Sequence, residues 1–291
     1  MGISCKYTVA GHTFAITLPE GLSPQELLQP YEPFASDASD VLFELSLEYV
    51  EDLAQTVPGK VVKCLNDEAP YFWIFDNDGL MSFGFSYTKD RPDCILKVSP
   101  DYRYDVVYMT ADSGMAEFAI NNAAMLLYTF CTAPYQTLMV HASVIRRDGE
   151  GYMFLGRSDT GKSTHSRLWL KHVNGSVLLN DDNPVVRVVD SLPYVYGTPW
   201  SGKTKCYKNE VVPLKAVVRL SQAPHNKISR LAPLQSFASL LPACSCMRWD
   251  SASVTALHKT VERVIAVVPG YQLECLPDEK AARLCYSTVC R

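Results

Sequence analysis

Gly156-Arg157-Ser158-Asp159-Thr160-Gly161-Lys162-Ser163-Thr164 is the stretch on which the reading of this chain turns. It fits the pattern G-x-x-x-x-G-K-[ST], and it stands where that pattern has physical meaning: Tyr152 to Leu155 ahead of it reads as a strand, and the residues beyond it as a helix ending near Gly175. Glycines let successive backbone N–H groups turn inward on one anion, and the N-terminus of the following helix adds its positive dipole end. A lysine placed as Lys162 is reaches the β- and γ-phosphates of a nucleoside triphosphate, and a hydroxyl placed as Ser163 is can ligate Mg²⁺. Gly156, Ser158, Asp159, Thr160, Gly161 and Thr164 complete the candidate phosphate cradle. The competing reading is a glycine turn ahead of an ordinary helix, and the strand-loop-helix context weighs against it.

Eighteen residues beyond Ser163, the apolar run Val177-Leu178-Leu179 ends in Asn180-Asp181-Asp182. Two carboxylates at the carboxyl end of a strand belong on the rim where open α/β sheets bind ligands, so they are expected beside the loop. One can hold Mg²⁺ while the other takes a proton from an attacking hydroxyl. The plainer alternative is a solvated turn ahead of Pro184. His141, within Val140-His141-Ala142-Ser143, falls on the strand just before the loop strand. By itself a strand histidine is usually an ordinary core or surface residue.

Outward from the loop, the second half reads as α/β. Strands are predicted at 137–146, 152–155, 176–179, 185–189, 194–196, 216–220 and 271–276, with helices near 234–241, 253–265 and 278–289. An Asp148-Gly149-Glu150-Gly151 turn joins the first two strands. Residues 1 to about 110 alternate apolar and polar side chains in short runs, the period-2 signature of antiparallel strands. The clearest is a hairpin from Tyr71 to Phe85 turning on Asp76-Asn77-Asp78-Gly79. Its aromatics Tyr71, Trp73 and Phe75, spaced by two, are expected to pack on one side of a sheet. A helix over 115–130 ends at Thr132-Ala133-Pro134, which puts a boundary near residue 134. The expected organisation is therefore α+β to α/β: a β-rich domain over 1–134, whose role is open, and a nucleotide-binding domain over 135–291.

Composition narrows the function classes. A chain of 291 residues, 47% hydrophobic and 20% charged, has the material for a packed core in one large or two modest domains. Its 27 Lys plus Arg against 31 Asp plus Glu leave a net charge of −4, so nothing draws the whole molecule to nucleic acid or an anionic membrane, and neither is expected as a partner. The longest apolar runs, such as Ala123 to Leu127, fall far short of the ~20 residues that cross a bilayer. With no leader pattern at the N-terminus, the ten cysteines read as reduced thiols of a cytoplasmic protein rather than as disulfides. They show no zinc-ligand spacing.

In order along the chain stand a histidine on a strand, a Gly/Asp hairpin, a Walker A loop, a short helix, and Asp-Asp about 20 residues after the loop lysine. Residues 138 to 270 thereby resemble the catalytic domain of HPr kinase/phosphorylase, whose fold is shared with phosphoenolpyruvate carboxykinase. The resemblance implies a P-loop domain of that type, with Asp181 as general base, Asp182 together with Ser163 as the Mg²⁺ ligands, and His141 near the γ-phosphate. The segment from Tyr196 through Gly197-Thr198-Pro199-Trp200-Ser201-Gly202-Lys203-Thr204 looks like a stretch in uncharacterised bacterial relatives of that kinase, which makes Lys203 a candidate cation for the transferring phosphoryl group. The glycine- and arginine-rich signature loop of HPr kinases is missing, and the N-terminal 134 residues are unlike their N-terminal domain.

The leading expectation is a kinase using Mg²⁺ and ATP, or another nucleoside triphosphate, to phosphorylate a hydroxyl of a protein, a peptide or a small molecule. A non-catalytic nucleotide sensor is the alternative from another class. Carboxykinase-like chemistry comes third, because that enzyme's oxaloacetate-binding arginine and full metal set are not found. Neither the acceptor nor the oligomeric state is readable in the sequence.

Overall fold

The computed structural model of the protein describes residues 2–56, 59–65, 69–202 and 204–290. The chain is mixed α+β with two sheets, and its contacts divide it into two compact units, Met1–Cys131 and Thr132–Arg291. Among the described residues no helix is long and apolar enough to cross a membrane. All ten cysteines are free thiols.

The first unit holds an eight-stranded sheet. Its strands are β1 (Ile3–Val9), β2 (His12–Leu18), β3 (Phe43–Tyr49), β4 (Lys60–Leu65), β5 (Tyr71–Asn77), β6 (Leu80–Ser86), β7 (Cys94–Lys97) and β8 (Tyr104–Met109). They lie in the order β1-β2-β3-β8-β7-β6-β5-β4. The expectation of antiparallel pairing fails at two places, since β2 with β3 and β3 with β8 run parallel. Alternation reports which face is buried and carries no information on direction. Here direction follows from connections too long to be turns: β2 reaches β3 through helix α1 (Pro24–Leu27) and a 3-10 segment over Gln29–Phe34, and β3 reaches β8 only after α2 (Leu53–Thr56) and four intervening strands. The β5–β6 hairpin turns on Asp78 and Gly79, whose φ of 54° and 93° give the two left-handed residues such a turn requires. Trp73 and Phe75 are buried. Helix α3 (Ala116–Thr132) buries Ala119, Ile120, Ala123, Ala124 and Leu127 along one stripe, and the Tyr128 hydroxyl donates to the Val9 carbonyl at 3.0 Å.

The second unit is organised around a nine-stranded sheet. Its strands are β9 (Thr137–Met139), β10 (Ala142–Arg147), β11 (Glu150–Leu155), β12 (Val177–Asp182), β13 (Val185–Val189), β14 (Leu192–Tyr196), β15 (Val211–Gln222), β16 (Lys227–Arg230) and β17 (Gly270–Cys275). The helices are α4 (Lys162–His172), α5 (Pro233–Leu240), α6 (Ser251–Val267) and α7 (Glu279–Val289). Strand β11 is apolar on both faces. Tyr152 and Phe154 join a core with Trp169 of α4 and Ala282 and Cys285 of α7, while Met153 and Leu155 join another with Leu257, Val261 and Val264 of α6. Such a continuous apolar run is what a strand covered by helices on both sides needs.

Two predicted elements differ. The strand expected over 137–146 is split at Val140 and His141: β9 pairs with β13, whereas β10 pairs with β11 and β12. The break occurs because the backbone there bonds elsewhere, Val140 N–H to the Pro184 carbonyl at 3.0 Å and His141 N–H to the Ala243 carbonyl at 2.7 Å. The strand expected over 216–220 is the middle of the twelve-residue β15, which pairs with β14 at its start and with β11 and β17 beyond it. Strand β16 was not anticipated.

Candidate functional site

Topology brings the chemistry-bearing residues to one rim. Strands β11, β15 and β17 are mutually parallel, and β10 runs antiparallel to both β11 and β12. The carboxyl ends of β11, β12, β15 and β17 therefore share an edge with the start of β10, where His141 stands.

The loop from Gly156 to Gly161 follows β11 and opens α4. Gly161, the N-cap of α4, has φ 99°, and Asp159 has φ 60°. At Gly156 a Cβ would collide with the Thr160 hydroxyl, which itself donates to the Arg157 carbonyl. Ser158 and Asp159 are exposed, and the Asp159 carbonyl accepts from the Gln222 amide at 3.2 Å. Helix α4 is fastened to the sheet by Trp169, fully buried against Tyr152 and Phe154, and by a 2.6 Å bond between the buried hydroxyls of Ser143 and Ser166.

Lys162 is only 8% exposed. Its ammonium has three N–H donors, and it directs them to His141 Nε2 at 3.0 Å, the Gly156 carbonyl at 3.0 Å and the Arg157 carbonyl at 3.4 Å. Burial lowers its pKa, against which the charges of Asp182, Asp181 and Asp159 act to raise it. His141 Nδ1 lies 3.0 Å from Asp182 Oδ1. With the lysine donating to Nε2, the neutral ring carries its proton on Nδ1 and gives it to the carboxylate.

The other carboxylate has a different partner. Ser163 Oγ donates to Asp181 Oδ1 at 2.9 Å, and Asp181 is 5% exposed. The expectation paired Ser163 with Asp182; here it is Asp181 that faces α4, while Asp182 turns to His141. Asp182 has φ 137°, a backbone state that costs a non-glycine residue about 1–3 kcal/mol, and its neighbours hold it there. Asn183 Nδ2 donates to Asp182 Oδ2 at 2.8 Å, Asp182 bridges Ser201, and Gly202 N–H reaches the Asp181 carbonyl at 2.6 Å. Buried Asn180 donates to Thr198 Oγ1 at 2.9 Å and accepts the Asn183 N–H at 3.1 Å. These asparagines and Thr198 escaped the sequence reading, although two Asn flanking Asp181-Asp182 were a visible sign. Lys203 lies outside the described residues.

Among the described residues no group of three or more His, Cys, Asp and Glu is placed to hold a metal ion. The oxygens of Ser163 and Asp181 nevertheless suit Mg²⁺, which commonly takes one or two protein oxygens and fills its remaining positions with water and phosphate. Beside the loop opens a cleft of about 610 Å³, bounded by Thr160, Gly161 and Thr164 on one side and by Leu220, Leu276 and Pro277 on the other. That volume is within the ~300–1,000 Å³ of small-molecule sites.

No curated protein matches the chain. The solved structure of the Hpr(Ser) kinase/phosphatase from Coxiella burnetii aligns over 52% of this chain and 93% of its own, with 11% sequence identity and a TM-score of 0.31, a distant structural relation. The family described as SynChlorMet cassette protein ScmC matches residues 106–268, more than half of the sequence and the whole span from His141 to Asp182. The protein belongs to that ScmC family.

Proposed function

We propose that the second unit binds a nucleoside triphosphate with Mg²⁺ and transfers its terminal phosphoryl group to a hydroxyl. The observation that carries this reading is the hydrogen-bonded convergence of Lys162, His141 and Asp182, with Ser163 and Asp181 alongside, at the N-terminus of a helix entered through a glycine-rich turn. A solvated turn would have no reason to direct a buried lysine, a histidine and two carboxylates at one another. The roles of the carboxylates are the reverse of those expected from sequence. Asp181, buried and bonded to Ser163, is the metal-side carboxylate, and Mg²⁺ bound there would neutralise charge on the phosphate oxygens. Asp182, half-exposed and held by His141, is open to an acceptor and accepts the hydroxyl proton. Lys162 exchanges its loop carbonyls for phosphate oxygens when nucleotide is present.

The test is to incubate the pure protein with γ-labelled ATP and Mg²⁺ against a cell extract split into protein and metabolite fractions. Label in either fraction, abolished by Asp182→Asn, supports transfer. Tight nucleotide binding with no label transferred and no slow hydrolysis makes the unit a sensor and overturns the proposal.

A further inference from the structure

His165 lies one turn into α4, is 3% exposed, and meets the Phe154 ring edge-on at 4.8 Å between centroids. Its Nε2 accepts the indole N–H of Trp169 at 3.1 Å. An indole nitrogen donates and never accepts, so Nε2 must bear the lone pair and the neutral ring must carry its proton on Nδ1. Among the described residues the Nδ1–H has no acceptor, and it is not one of the fully enclosed polar atoms. His165 lines the cleft beside the loop. A hydrogen-bond donor of fixed tautomer on a residue that lines the cleft is suited to a ligand atom.

We propose that the cleft takes the sugar-and-base end of the nucleotide and that the Nδ1–H of His165 donates to an acceptor atom on it, setting the preference for a nucleoside triphosphate over bare polyphosphate. This rests on the phosphate-binding reading given above. His165 stands four positions after Gly161, so at 1.5 Å per residue it lies about 6 Å along the helix from the phosphate end. The opposing wall, Leu220, Leu276 and Pro277, is apolar, as is Leu168 beside His165 on α4, and suits the faces of a ring. A neutral donor against such a wall recognises an oxygen or ring nitrogen without demanding charge.

The experiment is calorimetry on the full-length chain with MgATP and with inorganic tripolyphosphate plus Mg²⁺. Wild type is expected to bind ATP more tightly than tripolyphosphate. His165→Phe keeps the aromatic volume and removes the donor; ATP affinity is expected to fall about 5–10-fold, the worth of one neutral hydrogen bond, with tripolyphosphate affinity unchanged. Trp169→Phe breaks the same histidine–indole bond but retains the imidazole, so it is expected to keep the ATP preference. Should His165→Phe fail to fold, Ala223→Trp, which fills the cleft from a half-buried position, is expected to bring ATP down to the tripolyphosphate level. Equal wild-type affinities, or a folded His165→Phe or Ala223→Trp that keeps the wild-type preference, would overturn this inference and leave the phosphate reading standing. Wild type binding neither compound would overturn both.

Discussion

Asp181 and Asp182 are adjacent in sequence and separated in chemistry, so replacing each by asparagine isolates its role. Asparagine preserves shape and one carbonyl oxygen. At Asp182 it removes the charge facing His141 Nδ1, 3.0 Å away, and the oxygen that would take the acceptor's proton. A positioned general base contributes about 10²–10⁴ in rate, which at 1.36 kcal/mol per decade is about 3–5 kcal/mol of activation free energy. Binding of MgATP is expected to stay within about threefold of wild type, because Lys162 keeps its two loop carbonyls in the free state and the Ser163–Asp181 bond is untouched. Asp181→Asn is expected to behave differently: it weakens a metal ligand, so the affinity gained on adding Mg²⁺ shrinks by about tenfold or more while metal-free binding changes little. The assay is nucleotide calorimetry with and without Mg²⁺, together with phosphoryl transfer or slow ATP hydrolysis, on wild type and the two variants. If Asp181→Asn keeps metal-dependent binding and loses turnover while Asp182→Asn does the reverse, the assignment made from the Ser163–Asp181 bond is wrong. If neither variant changes either quantity, the carboxylates play no part.

Lys162→Ala removes the cation that the motif aims at the β- and γ-phosphates, together with its three hydrogen bonds, so calorimetry should register a loss of ATP affinity of about 100-fold or more, and unchanged affinity would sink the phosphate assignment. Ser163→Ala should lower Mg²⁺-dependent binding with metal-free nucleotide binding largely spared; equal losses under both conditions would argue against a metal ligand. Trp169→Ala should cost about 3–5 kcal/mol in chemical denaturation, since a fully buried ring is lost from the α4–sheet contact, and a loss below 1 kcal/mol would mean that α4 is anchored elsewhere. In the first unit, burial raises the Asp105 carboxyl to about 6 from 3.8, and among the described residues its Oδ2 has no hydrogen-bond partner. A raised carboxyl stabilises the fold at low pH, and that contribution, about 3 kcal/mol, disappears as pH climbs through 6; wild type should therefore gain stability on acidification from pH 7 toward 4 relative to Asp105→Asn, and parallel pH profiles in urea denaturation would refute this.

Much of the candidate site was legible because it is local. Gly156 and Gly161 mark where the backbone must turn, Lys162 and Ser163 follow at spacings set by one helical turn, and Asp181-Asp182 close a strand whose apolar run is visible by eye. Helix starts were legible for the same reason: Asp250 and Asp278 cap α6 and α7 by accepting the N–H of Ser253 and Ala281 three residues on. What the sequence could not decide depends on residues far apart in the chain. Whether β3 runs parallel to β8 is a matter of crossover geometry, invisible to alternation. His141 leaves the sheet because Ala243, about a hundred residues later, takes its N–H. Which aspartate meets Ser163 was settled by the side of β12 on which α4 packs and by the positive φ of Asp182. The cleft wall comes from the ends of β15 and β17, and the tautomer of His165 from an indole one turn further along α4 whose ring is held by the core. Local backbone preference and short-range periodicity act within a few residues, whereas pairing partners and buried hydrogen bonds are chosen by the packing of the whole unit, and the chemistry of this rim is made by the second.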